Sequence, residues 1–507
     1  MPHFTDLVDL AAERLGGAVV FATDDYFAPK ENLLKAEPAV FAPDRYTDRG
    51  KWMDGWESRR RRTPGHDFCV VRLGLPGMIR GVDVDTAHFK GNHPEACSLE
   101  AVCAPREASA DILGNPAAPW TPILARTPLR SDTRNLFPIA GRRWFTHLRF
   151  HIYPDGGVAR LRVHGDVAAD WRRLETSSEP VDLAALENGG FVLASSDSFF
   201  GSHQNLLMPG RAASMKDGWE TKRSRRPGTD PGSDWVIVRL GTRGVIRVVE
   251  VDTNHFKGNY PDRCSLEVSD APGAEMDVPT DPRHSWRSLL PETPLEAHKQ
   301  HFFEAELAPA GPATHVRLRI YPDGGVSRLR LYGRPAPPDA LKRLNAASRE
   351  EATRELLPCC GSTRWASRMA AALPLASPLD LLAAAEELFE ELNAEDWLEA
   401  FRAHPRIGDR AALKARFASG SEAAEQAGAH GAPEAVLDDL AARNAEYEKR
   451  FGHIFIICAT NLSASRMLAS LRERLTNPPD IELSVAADEQ RKITRLRIRK
   501  LLSSGES

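Results

Sequence analysis

The sequence predicts a multidomain chain: two all-β repeats of jelly-roll or β-sandwich type, then an all-α helical bundle. Three observations predict it. One motif is written twice, as DVDTAHFKGN at 83–92 and EVDTNHFKGN at 250–259, with Asp252 following Asp85 by 167 positions. Within each copy, short alternating apolar runs are broken by Gly and Pro. Beyond Leu341 that alternation gives way to Ala, Leu, Glu and Arg at helical spacing.

A period this long exceeds any solenoid unit and reads as a duplicated domain. A length of 507 residues fits three domains of about 150 each, placed at 1–175, 176–339 and 340–507. The formal charge of −4 supplies no general field for nucleic acid or a membrane surface, and neither is expected as a partner. The first residues carry acids and no apolar core, so no signal peptide is expected. No apolar run reaches transmembrane length. Seven cysteines, an odd number, do not form a disulfide framework. Cys97 and Cys264, at matching places in the repeats, read as buried thiols, and a reducing, cytoplasmic setting is expected.

Residues 1–18 read as an amphipathic helix, with Phe4, Leu7, Val8, Leu10 and Ala11 on one side. Residues 68–73 and 79–84 read as two strands split by Pro76-Gly77. Residues 147–152 alternate, Asp155-Gly156-Gly157 turns the chain, and 158–163 return, which predicts a β-hairpin. Residues 316–320 and 326–331 repeat that pattern. Trp56 and Trp219, each in an Asp-Gly-Trp-Glu segment, read as core or interface aromatics. The Pro-rich stretch 333–339 closes the second repeat.

The chemistry-bearing residues cluster on the duplicated loops. Asp85, His88, Lys90 and Asn92, and again Asp252, His255, Lys257 and Asn259, place a carboxylate, an imidazole, an ammonium and a carboxamide within eight residues. Such a set suits acid–base work on a small polar anion. The competing reading is a hydrogen-bonded loop brace. Arg59–Arg62 and the basic run 222–226 offer guanidinium forks for a carboxylate, or simply a solvated face. The DxxH spacing can ligate a metal, but no HxxxH or CxxC accompanies it, and no metal is expected.

The DGWE segments, the VDTxHFKGNxP loops and the YPDGGVxRLR stretches resemble allantoicase over roughly residues 15–335, in both repeats. The resemblance implies two jelly-roll-like domains that hydrolyse allantoate to (S)-ureidoglycolate and urea. Breaking that C–N bond needs a proton for departing urea, a clamp for the carboxylate and water at the central carbon. The Asp–His–Lys–Asn loops are the candidates, with His as proton carrier and Lys or Arg as clamp. The two loops are expected at equivalent places in their domains.

In the third domain, Ser377 caps a helix from Pro378, and helices follow near 394–403, 409–418, 434–450, 463–475 and 485–502. The apolar run 454–458 is the one strand-like stretch. Four stations stand out: His404-Pro405-Arg406, Ser421–Gly428, Phe451–Ala459 and Lys492–Arg497. Singly, each also reads as a cap or a solvated charge. Together with Cys360-Gly361-Ser362, Trp365 and the 444–452 stretch, they resemble 2-oxo-4-hydroxy-4-carboxy-5-ureidoimidazoline (OHCU) decarboxylase over about 340–503.

That resemblance implies a cofactor-free decarboxylation giving (S)-allantoin, in a helical fold that commonly dimerises. It makes His404 the catalytic imidazole beside Pro405, pairs Glu425 with Gln426 on the substrate ring, and assigns Arg497 and the backbone of Ile457, Cys458 and Ala459 to substrate contact. Where the family has Ser three residues before that Glu, this chain has Glu422, and Ser421 is one residue further back. The implied partners are allantoate and OHCU, with a homo-oligomer of dimer size or higher. Two alternatives stand beside this bifunctional reading: a non-catalytic ligand-binding pair of sandwiches, or a helical domain serving only oligomerisation.

Overall fold

The computed structural model describes residues 3–109, 113, 118–141, 143–169, 179–223, 232–273, 285–375, 377–404, 434–460 and 462–503. The chain forms two compact units, Met1–Ser269 with Thr280–Pro335, and Asp270–Pro279 with Ala336–Ser507. Two β-rich domains make up the first and a domain of helices the second.

The first repeat runs β1 (Val8–Asp9), β2 (Ala18–Ala22), β3 (Tyr46–Thr47), β4 (Gly50–Lys51), β5 (Trp56–Glu57), β6 (Asp67–Asp85), β7 (Ala96–Val102), β8 (Thr121–Pro128), β9 (Arg134–Pro138), β10 (Trp144–Tyr153), β11 (Gly157–Val158) and β12 (Arg160–Val167). The long strand β6 organises it. Its first part pairs with β2 and β10, and its second part with β9 and β12. The expected break at Pro76-Gly77 is therefore a passage within one strand. Gly77 is needed there, because a Cβ would sit 2.4 Å from the Asp166 carbonyl.

Strands β10 and β12 are not a hairpin. They pair with different parts of β6, and the Pro154–Gly157 turn carries the chain from one to the other. Leu148, Phe150 and Ile152 on β10 and Leu161 and Val163 on β12 are fully buried in one core with Val71, Val82, Val84 and Trp56. Each such side chain contributes about 1.5–3 kcal/mol. Residues 3–15 are not one helix. Short 3-10 turns at Phe4–Asp6 and Glu13–Leu15 flank β1, which pairs with β12. The Asp9 carboxylate accepts from the Val163 and Ala11 amides at 2.9 and 3.2 Å, so tertiary pairing outcompetes the helical pattern.

The second repeat repeats the order: β13 (Val181–Asp182), β14 (Phe191–Ser195), β15 (Trp219–Glu220), β16 (Asp234–Asp252), β17 (Arg263–Ser269), β18 (Arg287–Pro294), β19 (Gln300–Phe303), β20 (Ala313–Tyr321), β21 (Gly325–Val326) and β22 (Arg328–Pro335). Here β16 takes the part of β6. Cys97 and Cys264 are buried, and burial pushes both thiols up to about 12. Trp56 and Trp219 are fully buried, their indole N–H groups donating to Asp24 and Asp197 carbonyls at 2.8 and 2.7 Å.

Eight helices lie among the described residues of the last domain: α1 (Asp339–Ala346), α2 (Arg349–Cys360), α3 (Thr363–Ala372), α4 (Pro378–Glu390), α5 (Ala394–Arg402), α6 (Glu434–Phe451), α7 (Ala464–Arg474) and α8 (Pro479–Ser503). Ser377 caps α4 by accepting the Asp380 amide. The helix expected at 409–418 lies outside the described residues. Residues 454–458 form no strand and pair with none among the described residues. Among the described residues no helix is long and apolar enough to cross a membrane.

Candidate active sites

The three recurring motifs of each repeat are packing partners. Phe89, fully buried, fills the space against Gly55 and Gly157, where a Cβ would approach its ring to 2.8 and 2.0 Å. Gly157 donates its amide to the Asn92 carbonyl at 2.7 Å, and Ser58 donates its own to Gly156. The loop 86–92 is thus clamped between the DGWE and YPDGG segments. Phe256, Gly218, Gly325 and Asn259 repeat the clamp in the second copy. The two loops occupy equivalent places.

Clamping fixes the histidines. His88 and His255 have φ of 70° and 71°, a left-handed conformation uncommon for side-chain-bearing residues and frequent at functional sites. Their Nε2 atoms lie 3.2 and 2.9 Å from the carbonyls of Ala39 and Ala212. A carbonyl only accepts, so in the neutral ring Nε2 carries the hydrogen and Nδ1 the lone pair. The carboxamides are also spent alike: Asn92 donates to Glu57 at 2.7 Å, and Asn259 to Glu220 at 2.6 Å.

The copies then diverge. In the first, residues 40–53 separate Ala39 from Asp54, while in the second only 213–216 separate Ala212 from Asp217. The extra length holds the β3–β4 ribbon. With it, a cavity of about 430 Å³ is walled by Phe27, Phe41, Gly50, Lys51, Met53, Glu57, His88, Lys90, Gly91 and Asn92. Phe41 stacks on the His88 ring, centroids 5.6 Å apart, and Lys51 lies 4.5 Å over Phe41. Asp132 accepts the His88 amide at 2.8 Å and lies 3.6 Å from Lys90; the His88 amide holds its carboxyl below the ordinary value. Glu57 is shifted the other way, burial pushing its carboxyl up against the Asn92 bond.

Asp85 does not line this cavity. It ends β6 half-buried and braces the loop by accepting the Ala87 amide at 2.8 Å, and burial raises its pKa. Asp252 is fully buried, accepts the Asn254 amide, and is held by Arg211 at 3.0 and 3.2 Å. Matching bonds, His88 to Ala39 and His255 to Ala212, set Pro38 opposite Arg211. The His255 amide donates to His298 Nδ1 at 2.8 Å rather than to an acid, and Lys257 is exposed. The Arg run is used elsewhere: Arg59 pairs with Asp24, and Arg61 with Asp67. Residues 224–226 lie outside the described residues.

Sequence reasoning missed Glu57, Lys51 and Phe41. Glu57 stood inside the DGWE motif, and the longer 40–53 segment was visible as a mismatch between the copies. Among the described residues no cluster of three or more His, Cys, Asp or Glu is arranged to hold a metal.

In the helical domain, His404 follows α5, its amide donating to Phe401 at 3.0 Å. Arg497 on α8 reaches its Nδ1 at 3.5 Å and the Pro358 carbonyl at 3.1 Å. A guanidinium only donates, so Nδ1 is the acceptor of that contact. Gln490 ties α8 to the end of α2 through the Cys360 carbonyl at 3.0 Å. The 454–459 segment is fixed from beneath. Buried Arg474 donates to the Ile456 carbonyl at 2.8 Å and pairs with fully buried Glu482 at 2.6 Å; Tyr447 and Asn477 also donate to Glu482. Ile457 and Ala459 are buried, and the Cys458 amide donates to Glu489 at 2.7 Å. Glu489 was not foreseen, and it occupies an amide expected to face substrate. Pro405, Ser421, Glu422, Glu425 and Gln426 lie outside the described residues.

Residues 8–168 and 181–336 match the family described as allantoicase repeat, and residues 345–499 match OHCU decarboxylase. A protein of Burkholderia mallei named "Probable allantoicase 1" is 51% identical over 333 residues, covering 66% of this chain and 96% of its own. A "Probable allantoicase" of Photobacterium profundum is 48% identical over 331 residues, covering 65% and 97%. The crystal structure of allantoicase from Saccharomyces cerevisiae, 34% identical, aligns with a TM-score of 0.54 over 64% of this chain and 92% of that one. The chain belongs to the allantoicase family, an enzyme of purine degradation whose two repeats are followed by an OHCU decarboxylase domain.

Proposed function

We propose that the chain is bifunctional: its first repeat hydrolyses allantoate to (S)-ureidoglycolate and urea, and its helical domain decarboxylates OHCU to (S)-allantoin. The observation that carries the first half is the walled cavity of the first repeat, with His88, Glu57, Lys51 and Lys90 on one surface. Allantoate is small and anionic, with two ureido arms that both donate and accept. The ammonium groups of Lys51 and Lys90 suit its carboxylate, and the aromatic walls suit exclusion of bulk water. His88, with Nδ1 as lone-pair nitrogen, takes the proton of the attacking water. The second repeat, with Arg211 on Asp252 and a short 213–216 connection, serves as scaffold.

For the second half, the supporting observation is the His404–Arg497 contact, in a domain whose 454–459 segment is separately braced by Arg474. Loss of CO₂ leaves electrons that the adjacent ring carbonyl accepts as an enolate. The protein then holds the carboxylate, stabilises the enolate and protonates one face. Arg497 suits the first task and His404 the last, with Glu425, Gln426, Pro405 and Ser421 completing the site as the family resemblance implies. No cofactor is required by this route.

The two reactions are not consecutive. One ends at allantoin and the other begins at allantoate, so a ring-opening hydrolase stands between them, and fusion fixes stoichiometry rather than a channel. The division at 1–175, 176–339 and 340–507, a homo-oligomeric cytoplasmic enzyme and small-molecule partners belong to the same reading. Urea release from allantoate and stereoselective decay of OHCU by the purified full chain test it. A chain that accelerates neither reaction over buffer contradicts it.

A further inference from the structure

Glu57 is the one carboxylate on the cavity wall of the first repeat. Departing urea needs a proton, and His88, whose Nδ1 lone pair takes the water proton, is not its donor. Strand β5 holds its backbone by pairing with β11, and the Asn92 carboxamide fixes Oε1 at 2.7 Å. Among the described residues no donor reaches Oε2. The charged and titratable groups sharing the cavity are Lys51, His88 and Lys90. Burial disfavours the Glu57 carboxylate, and the single Asn92 bond only partly offsets it.

We propose that Glu57 is the general acid of allantoate cleavage and that Asn92 is its positioning residue. The inference rests on the allantoate reading of this pocket. The C–N bond to the departing ureido group breaks, its electron pair goes to that nitrogen, and the nitrogen takes the Glu57 proton and leaves as urea. The lone pair of the remaining ureido nitrogen supports the central carbon until water adds. The water proton passes to His88 Nδ1. Transfer of a proton from the imidazolium to the Glu57 carboxylate restores both groups, so the net change is allantoate plus water. An acid and a base on one wall, with unlike surroundings, are what such a cycle requires. Asn92 then serves the reaction through Glu57 rather than by touching substrate.

The test uses the full chain, with urea release from allantoate read across pH and allantoate affinity read by calorimetry. Glu57→Gln is expected to lower kcat by about 100-fold or more while Kd for allantoate moves by only about two- to threefold. Asn92→Ala removes a donor that stabilises the carboxylate. It therefore raises the Glu57 pKa and moves the alkaline limb of the kcat/KM profile to higher pH. Glu220→Gln, in the second repeat, leaves turnover unchanged. Turnover by Glu57→Gln within about threefold of the parent, or an unmoved limb in Asn92→Ala, would overturn the assignment while leaving an active parent as allantoicase. Loss confined to Glu220→Gln would overturn it in favour of the other repeat. A parent chain that releases no urea would remove the allantoate reading, and the Glu57 role with it.

Discussion

Arg211 grips Asp252 through two hydrogen bonds of 3.0 and 3.2 Å, and the matching position in the first repeat holds Pro38, which has no charge to offer Asp85. One duplicated loop has thus been used in two ways. In the second copy the carboxylate is buried and neutralised, and in the first the neighbouring segment has lengthened into a cavity wall.

The Arg211–Asp252 pair is expected to be structural. Arg211→Ala leaves a fully buried carboxylate without its cation and should cost about 1–3 kcal/mol. A lower midpoint of thermal unfolding with unchanged kcat for allantoate is the expected result. A fall in kcat at unchanged stability would place the second repeat in catalysis.

The ribbon that closes the first-repeat cavity should act on binding. Lys51→Ala removes one of two cations facing the proposed carboxylate, and KM for allantoate should rise about tenfold with kcat little changed, as expected for a charge-assisted bond. Phe41→Ala, which unstacks His88, should lower kcat as well. Steady-state kinetics of the two variants separate these effects.

The duplicated loops, buried tryptophans and helical third domain follow from residue pattern, because each motif repeats at matched positions. The strand crossing was not legible: Pro76-Gly77 reads as a turn locally, and only pairing with β10 and β12 keeps β6 continuous. The N-terminal segment has helical spacing, yet Asp9 finds better partners on β12. Glu57 was hidden because the cavity it lines is built with Asn92, 35 residues away, and with residues 40–53, a stretch matched by only 213–216 in the second repeat.

His147 gives the first repeat a pH signature. It is fully buried on β10, and burial, with Arg72 and Arg106 nearby, pushes its pKa down to about 4. The unfolded chain binds that proton near pH 6.5, so stability is present above that value and is lost as pH falls from about 6.5 to about 4. His147→Gln should flatten thermal stability across that window. An unchanged slope would assign the loss to other groups.

In the helical domain, His404→Asn should keep the fold and lose about 100-fold or more of OHCU decarboxylation, with the allantoin formed becoming racemic by circular dichroism. Wild-type rate and stereoselectivity in that variant would exclude His404 as the proton donor.

Steady-state urea release from allantoate, measured side by side for His88→Ala and His255→Ala in the full chain, tests most directly which repeat does the chemistry. A loss of about 100-fold or more in His88→Ala, with His255→Ala close to the parent, is the predicted result. Equal losses in the two variants, or a larger loss in His255→Ala, would contradict it.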